Sequence, residues 1–430
     1  MIKKLYKVFN LTDDKEFLKH ASIMFITSII AGVCNYAYQL YMGRALGPED
    51  YSVFGSLFAI SYIIFVLSGT IQTSGARFIS KFIGEGNKTG NINYLLRGLI
   101  KRMFFLGIIV FLFFIFASSW IASFLNIEST IPVIIVGSVL LFSLLLPVNL
   151  GALQGLQKFK WLGSNSVINF SSKLLFGVIL VSIGFGVNGA LGAMIIASAI
   201  ALVISFIPLK SFLSPNYKVN PGFNFSELYR YSLPTMLAMF CSAVPANIDV
   251  IIVKHFFDAY DAGLYTAASV LGKIVLFLPA AIGTVMFPKV SMVNANGGNT
   301  KELLNKSLIY TAFLSGLLTV GYWFFPSIVV GAPFGHIYLE AVPLVKFYGL
   351  AMLFFSLTIV LMRYALAIHD LKYVYGFTFF TILEIILLTI FHETMMEMVI
   401  ILLTINILLF IFSYYHVIWY KPIKRVVNGG

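Results

Sequence analysis

The sequence predicts an all-α polytopic membrane protein with about 12 transmembrane helices in two pseudo-symmetric six-helix bundles. Three observations carry this reading. Only 11% of the 430 residues are charged, where a soluble chain carries about 25%. Apolar runs recur along the whole chain, most of them long enough to cross a bilayer, which takes about 20 residues. Finally, a short acidic turn recurs, once in Arg44–Gly55 and once in His255–Thr266, with Asp50 and Asp261 at an offset of 211. A fixed internal offset marks two copies of one unit, and many transporters are built from such copies with the site between them.

In order, the expected spans are 20–43, 51–76, 103–125, 132–156, 163–184, 189–209, 230–254, 263–287, 307–330, 342–368, 374–391 and 397–420. The first carries Asn35 and Gln39, exceeds the length of a signal-peptide core and lacks a small-residue cleavage site, so it reads as a span. Breakers Pro215, Asn216, Pro221 and Gly222 mark 210–228 as a cytoplasmic connector between an N-terminal bundle (1–209) and a C-terminal bundle (229–430). Two further landmarks keep the repeat at offsets up to 214. Gly86-Asn87-Lys88-Thr89 parallels Gly298-Asn299-Thr300-Lys301, and Gly155–Phe159 parallels His369–Tyr373. Six spans per copy give both copies the same orientation.

The net charge of +12 is a topology signal. With both termini cytoplasmic, 23 of the 29 lysines and arginines fall in inner segments, while the outer turns hold Arg44 and Lys254. This excludes nucleic acid as the reason for the charge and places the chain in the cell membrane. Two inner stretches, Arg77–Arg102 and Lys289–Lys306, interleave basic and apolar residues. They read either as segments lying on the anionic leaflet or as ordinary helix ends.

Several motifs mislead. Gly184-Phe185-Gly186-Val187-Asn188-Gly189 matches a dinucleotide fingerprint but falls in an outer turn with no strand before it. Gly84–Thr89 lacks the glycine before lysine that a phosphate loop needs. His392-Glu393 has no second histidine four residues after the first, and no nucleophile elbow is found. Cys34 and Cys241 read as packing residues. No enzyme, cofactor or metal is expected.

Charge inside a span is costly and is a functional hypothesis by default. Six residues qualify: Lys173, Asp249, Lys273, Lys346, Arg363 and Glu384. Lys273 lies ten residues, about 15 Å, from one end of its span, and Lys173 is similarly deep. Lys346 and Arg363 lie near ends and can snorkel. Lys173 follows Asn165, Asn169 and Ser172 on one helix face, and Lys273 shares a face with Thr266 and Ser269. Arg77 ends a stripe with Thr70 and Ser74, while Ser28, Asn35 and Gln39 line the first span. Such stripes suit a water-filled cavity. The alternative is an interhelical bond, such as Lys273 with Asp249. Midplane lysines would attract an anion, and a pyrophosphate-linked lipid fits.

Arg44-x-Leu46-Gly47-Pro48-Glu49-x-Tyr51, then Gly75-Ala76-Arg77-Phe78, resembles the opening of polysaccharide-biosynthesis flippases, the Wzx-type lipid-linked oligosaccharide translocases of the MATE-like MOP superfamily. Ile248-Asp249, Gly263-Leu264-Tyr265 and Phe334-Gly335-x-x-Tyr338-x-x-Ala341 extend the resemblance over nearly the full length. It implies a central cavity faced by spans one, two, seven and eight, reached from each side in turn. On the combined reading the cavity residues are Asn35, Gln39, Arg77, Lys173, Asp249, Lys273, Arg363 and Glu384. The implied partners are a lipid-linked sugar moved from the inner to the outer leaflet, membrane lipids, a coupling proton or sodium ion, and polysaccharide-assembly proteins. The competing readings are a multidrug/organic-cation antiporter of the same superfamily, using Asp249 and Glu384, and a glycan polymerase, for which the outer turns are too small.

Overall fold

Long apolar runs leave the backbone one way to satisfy its polar groups in lipid, the α-helix, and helices account for the described elements. The computed structural model describes residues 11–86, 89–213, 225–277, 298–368 and 372–419, with isolated positions between 279 and 293 and at 370. The extreme termini, most of the expected connector (214–224) and parts of two landmarks (Asn87, Lys88, His369 and Leu371) lie outside the described residues.

The helices are α1 (Leu11–Gly84), α2 (Thr89–Phe116), α3 (Ser118–Phe124), α4 (Ile131–Gly155), α5 (Phe159–Leu180), α6 (Gly186–Phe206) and α7 (Phe225–Ala243). They are followed by α8 (Ile248–Phe256), α9 (Ala259–Phe277), α10 (Lys301–Phe324), α11 (Pro326–Phe334), α12 (Val342–Ala367), α13 (Lys372–Ile390) and α14 (Met395–Trp419). Among the described residues, eight stretches are long and apolar enough to span a membrane. Two of them hold two spans each. Residues 22–84 break at Gly47 (φ 75°), and residues 159–213 break at Gly184 (φ 96°) and Gly186 (φ 50°). Glycine is the residue that tolerates this left-handed backbone. Both breaks fall where sequence patterning expects outer turns, although the first is one residue wide rather than a turn of several. The expected seventh span is split as well. Pro245 has no N–H to give, and Val244–Asn247 interrupts the helix between α7 and α8.

The chain divides into two compact units, Met1–Leu46 with Ile60–Met239, and Gly47–Ala59 with Phe240–Gly430. The expected division at 209 and 229 therefore differs in two places. α7 belongs largely with the first unit, and the start of the second span packs with the second. Inside each unit the repeat shows as matching partnerships. In the first, α2 and α6 pack on α4, and α5 on α6; in the second, α10 and α14 pack on α12, and α13 on α14. α4 and α12 each open with a proline in the first turn, Pro132 and Pro343, where a missing N–H costs nothing.

Small residues bring helices close where lipid supplies no hydrophobic drive. Gly151-x-x-x-Gly155 does this on α4. A Cβ at Gly151 would lie 2.6 Å from the Gln72 carbonyl oxygen, and one at Gly155 would lie 2.7 Å from that of Ala76. The motifs behind the family resemblance have a structural explanation inside the second unit. Tyr51 packs on Phe334 and Tyr338, with centroids 5.7 and 6.3 Å away, and Gly263 leaves room for the Pro48 carbonyl, which any side chain would strike. Arg77–Arg102 resolves into helix ends, the close of α1 and the opening of α2, rather than a separate surface segment. Lys254, expected in an outer turn, is buried on α8 instead.

Candidate functional site

Two buried polar clusters gather most of the intramembrane charge, one in each unit.

In the first unit, Lys173 on α5 donates to the Oδ1 of Asn35 on α1 and is 6% exposed. Its ammonium lies 4.6 Å from the Tyr38 ring centroid and 5.0 Å from that of Phe170, so quadrupoles replace part of its hydration. Gly177, one turn further along α5, lets Tyr38 and Met42 approach; a Cβ there would lie 2.6 and 2.7 Å from them. Tyr38 is fixed in turn by its hydroxyl, which donates to the Ala190 carbonyl at 2.6 Å. Gln39 is half-buried beside this cluster on α1. The expected polar stripe on α5 divides here, because Asn165 donates to the Ala201 carbonyl at 2.7 Å as a helix-to-helix bond.

In the second unit the interrupted span builds the site. Asp249 lies in the first turn of α8 and is 0% exposed, where unpaired N–H groups and the helix dipole favour a carboxylate. Its Oδ2 accepts from Tyr265 on α9 at 3.0 Å and from Tyr348 on α12 at 2.7 Å. Tyr348 also bonds Ser269 at 2.9 Å, and its ring lies over Gly272, where any side chain would collide with it. Lys273 on α9 donates to the Oδ1 of Asn247 at 3.1 Å. The expected ion pair between Lys273 and Asp249 is not formed within 4.0 Å. Glu384 on α13 is 1% exposed. The second oxygens, Asp249 Oδ1 and Glu384 Oε1, have no hydrogen-bond partner among the described residues. Unpaired buried carboxylate oxygens are costly, so they are the atoms to which a cation or proton would bring most relief. Among the described residues no group of three or more His, Cys, Asp and Glu forms a metal cluster.

The remaining expected residues lie elsewhere. Arg77 is exposed and stacks on Tyr231, 3.9 Å from the ring centroid. The stripe it ends is buried, with Ser74 bonded to Ser232 at 2.8 Å. Arg363 is half-buried on α12, fifteen residues and about 22 Å along the helix from Tyr348. Lys346 lies over Trp323, 5.6 Å from its centroid. Sequence patterning missed Tyr38, Asn247 and Tyr348, whose partners lie between 26 and 152 residues away.

The repeat relates the two clusters. Asn35 and Asn247 differ by 212 residues, and Lys173 and Glu384 by 211, within the offsets of the landmarks. Corresponding spans of the two copies thus carry a cation in one and a carboxylate in the other.

A family model described as polysaccharide biosynthesis protein matches residues 41–343. An uncharacterized membrane protein of Methanocaldococcus jannaschii is 24% identical over 339 residues, covering 74% of this chain and 78% of its own. Among solved structures, an inward-facing multidrug resistance MATE family transporter of the MOP superfamily superposes with a TM-score of 0.76 at 13% identity, covering 90% of this chain and 94% of that one. The lipid II flippase MurJ in an inward closed conformation superposes with a TM-score of 0.73 at 18% identity, covering 92% and 88%.

Proposed function

Because the chain belongs to the polysaccharide biosynthesis protein family, we propose that it flips a lipid-linked oligosaccharide of the pyrophosphate type from the inner to the outer leaflet by alternating access. The observation that carries this reading is Lys173, a buried cation on a spanning helix held by Asn35 and two aromatic rings. A lysine held at this depth by an amide oxygen and two ring faces suits an anionic headgroup, and low dielectric strengthens the attraction. Asn35, Gln39, Arg77 and Lys273 would add polar contacts, and Arg363 a further cation, while the lipid tail stays in the bilayer. Asp249 and Glu384 would bind the coupling proton or sodium ion at their unpaired oxygens. Both termini would be cytoplasmic, following the distribution of lysine and arginine. Polysaccharide-assembly proteins would take the product.

A second reading has one observation in its favour. Two buried carboxylates with unpaired oxygens also suit an organic-cation antiporter of the same fold. Proteoliposomes loaded with a fluorescent lipid-linked sugar separate the two. Transfer of the label between leaflets, lost in Lys173→Gln, supports the flippase. No transfer, together with proton- or sodium-driven dye efflux that needs Glu384, overturns it.

A further inference from the structure

The opening of α2 gathers three cations, Arg97, Lys101 and Arg102, on the surface of the first unit, apart from Lys173. A groove of about 710 Å³ is lined by Arg97, Lys101, Arg102, Phe105, Ile109 and Phe225, within the usual span of small-molecule sites. The residues recur at three- and four-residue steps and so share one helix face. The polar end is constructed rather than incidental. Gly98 leaves room for the Phe225 ring, which any side chain there would strike. Arg102 lies over that ring, its Cζ 3.4 Å from the centroid, with Tyr229 at 5.7 Å. Tyr94 also packs on Phe225, 5.6 Å between centroids. Arg97 is held by a bond to the Leu213 carbonyl at 2.6 Å. Two of the three cations are therefore oriented in advance, and all three are exposed.

Among the described residues no carboxylate lies within 4.0 Å of Arg97, Lys101 or Arg102, and Glu227 is turned to Lys81 at 3.9 Å. The stretch 214–224 contains Lys218 and neither Asp nor Glu. It cannot supply the missing charge. Phe105 and Ile109 lie three and seven residues beyond Arg102, about 5 and 10 Å further along α2, and both are exposed. A cationic mouth that continues into an apolar channel along a spanning helix matches one ligand chemistry, a phosphate with an acyl chain attached.

We propose that this groove binds the headgroup phosphate of an anionic membrane phospholipid, with an acyl chain lying along Phe105 and Ile109. The site is distinct from the path proposed for the transported lipid, and it stands whether or not that path is correct. Near a charged surface each basic residue is worth about fivefold in lipid affinity.

The test uses the full chain in nanodiscs of phosphatidylcholine, titrated with fluorescent phosphatidylglycerol. Arg102→Gln weakens phosphatidylglycerol binding about fivefold, and the triple Arg97→Gln/Lys101→Gln/Arg102→Gln at least about tenfold, with phosphatidylcholine unaffected. Lys346→Gln, a lysine over Trp323 outside both sites, leaves both values unchanged. Equal affinity in the triple variant and wild type overturns the proposal, as does equal binding of the two lipids. So does displacement of the lipid by inorganic phosphate alone, which would mark a free-anion site. If the triple variant does not fold, wild type still decides. Binding must weaken as salt rises, and a photoreactive Phe105→p-benzoylphenylalanine must crosslink to phosphatidylglycerol; absence of either result refutes the site.

Discussion

Replacing Tyr348 with Phe removes one oxygen from the centre of the second unit and leaves everything else in place. The ring keeps its seat on Gly272, and the variant loses two bonds, to Asp249 Oδ2 at 2.7 Å and to Ser269 at 2.9 Å. Asp249 is fully buried, so no water replaces the lost donor, and its Oδ2 keeps only Tyr265. A hydrogen bond to a charged group contributes about 1.5–3 kcal/mol and a neutral one about 1, so losing both in Tyr348→Phe should destabilise the unit by roughly 2.5–4 kcal/mol. At about 2.1 cal/mol/K of unfolding entropy per residue, a chain of this size loses about 3–4 °C from the midpoint of thermal unfolding, measured in one detergent at one scan rate because such transitions are often irreversible. The charge is tested by a cycle. In an Asp249→Asn background the phenol donates to a neutral amide oxygen, and the same change, which still loses the Ser269 bond, should cost only about 2 kcal/mol. A shift under about 1 °C, or equal cost in both backgrounds, refutes an ionised Asp249 held by the two tyrosines.

Three other substitutions probe separate parts of the argument. Lys173→Gln should lower leaflet transfer by at least about tenfold with little change in unfolding temperature, and Lys173→Arg should restore part of it, since the charge returns in a wider shape; full activity in Lys173→Gln removes the lysine from the mechanism. Gly151→Ala should destabilise by about 1–3 kcal/mol, because its Cβ meets the Gln72 backbone at 2.6 Å, whereas Gly192→Ala, 3.9 Å from a leucine methyl group, should be neutral or better; equal unfolding temperatures would show that α1 and α4 adjust freely. Burial, with the Asp258 and Glu340 carboxylates, pushes the Asp261 carboxyl up. A raised folded-state value means the folded chain binds the proton more tightly, so this residue's contribution falls as pH rises through that range. Asp261→Asn should therefore raise the unfolding temperature at neutral pH and match wild type in acid, and a pH-independent difference would show that charge is not the cause.

The spans were legible in the sequence because each is long, apolar and punctuated. Gly47 and the pair Gly184 and Gly186 mark turns that no side-chain pattern would obscure. The repeat was legible too, since landmarks such as Gly298–Lys301 survive in both copies, and the partnerships of α4 and α12 repeat the same arrangement. The deep charges Lys173, Lys273, Asp249 and Glu384 were found because each breaks an apolar run. Their partners were not, because a tyrosine in a span looks like core until its oxygen meets something. Tyr348 finds Asp249 across 99 residues and Tyr38 finds Ala190 across 152. Helical periodicity reports which residues share a face and is blind to what the face meets. That also explains Asn165, which sits on the stripe of Lys173 yet is used by the Ala201 carbonyl. Asn247 was hidden for another reason. It lies in the interruption after Pro245, and a run of spanning length gives no sign of where its helix stops.

The two clusters bear on why charge is retained inside these helices at all. If the fold needed a charged pair at this depth, both copies would be expected to build the same one. They keep one asparagine, Asn35 or Asn247, and differ in sign, with Lys173 in one copy and Glu384 in the other. Each cluster spends its available hydrogen bonds differently. Lys173 is satisfied by Asn35 and by rings, whereas Asp249 takes two phenols and still leaves an oxygen unpaired, as does Glu384. A purely structural role would favour the opposite outcome, because replacing a buried charge with an apolar residue is often neutral or stabilising. The asymmetry is what a division of labour would need, with a cation in one copy to attract an anionic headgroup and carboxylates in the other to hold a proton or sodium ion. Exchanging the signs tests this inference directly. Lys173→Glu should abolish transfer of an anionic lipid and Glu384→Lys should abolish its dependence on the coupling ion. If both variants fold and behave alike, the two copies are interchangeable and the sign difference carries no function.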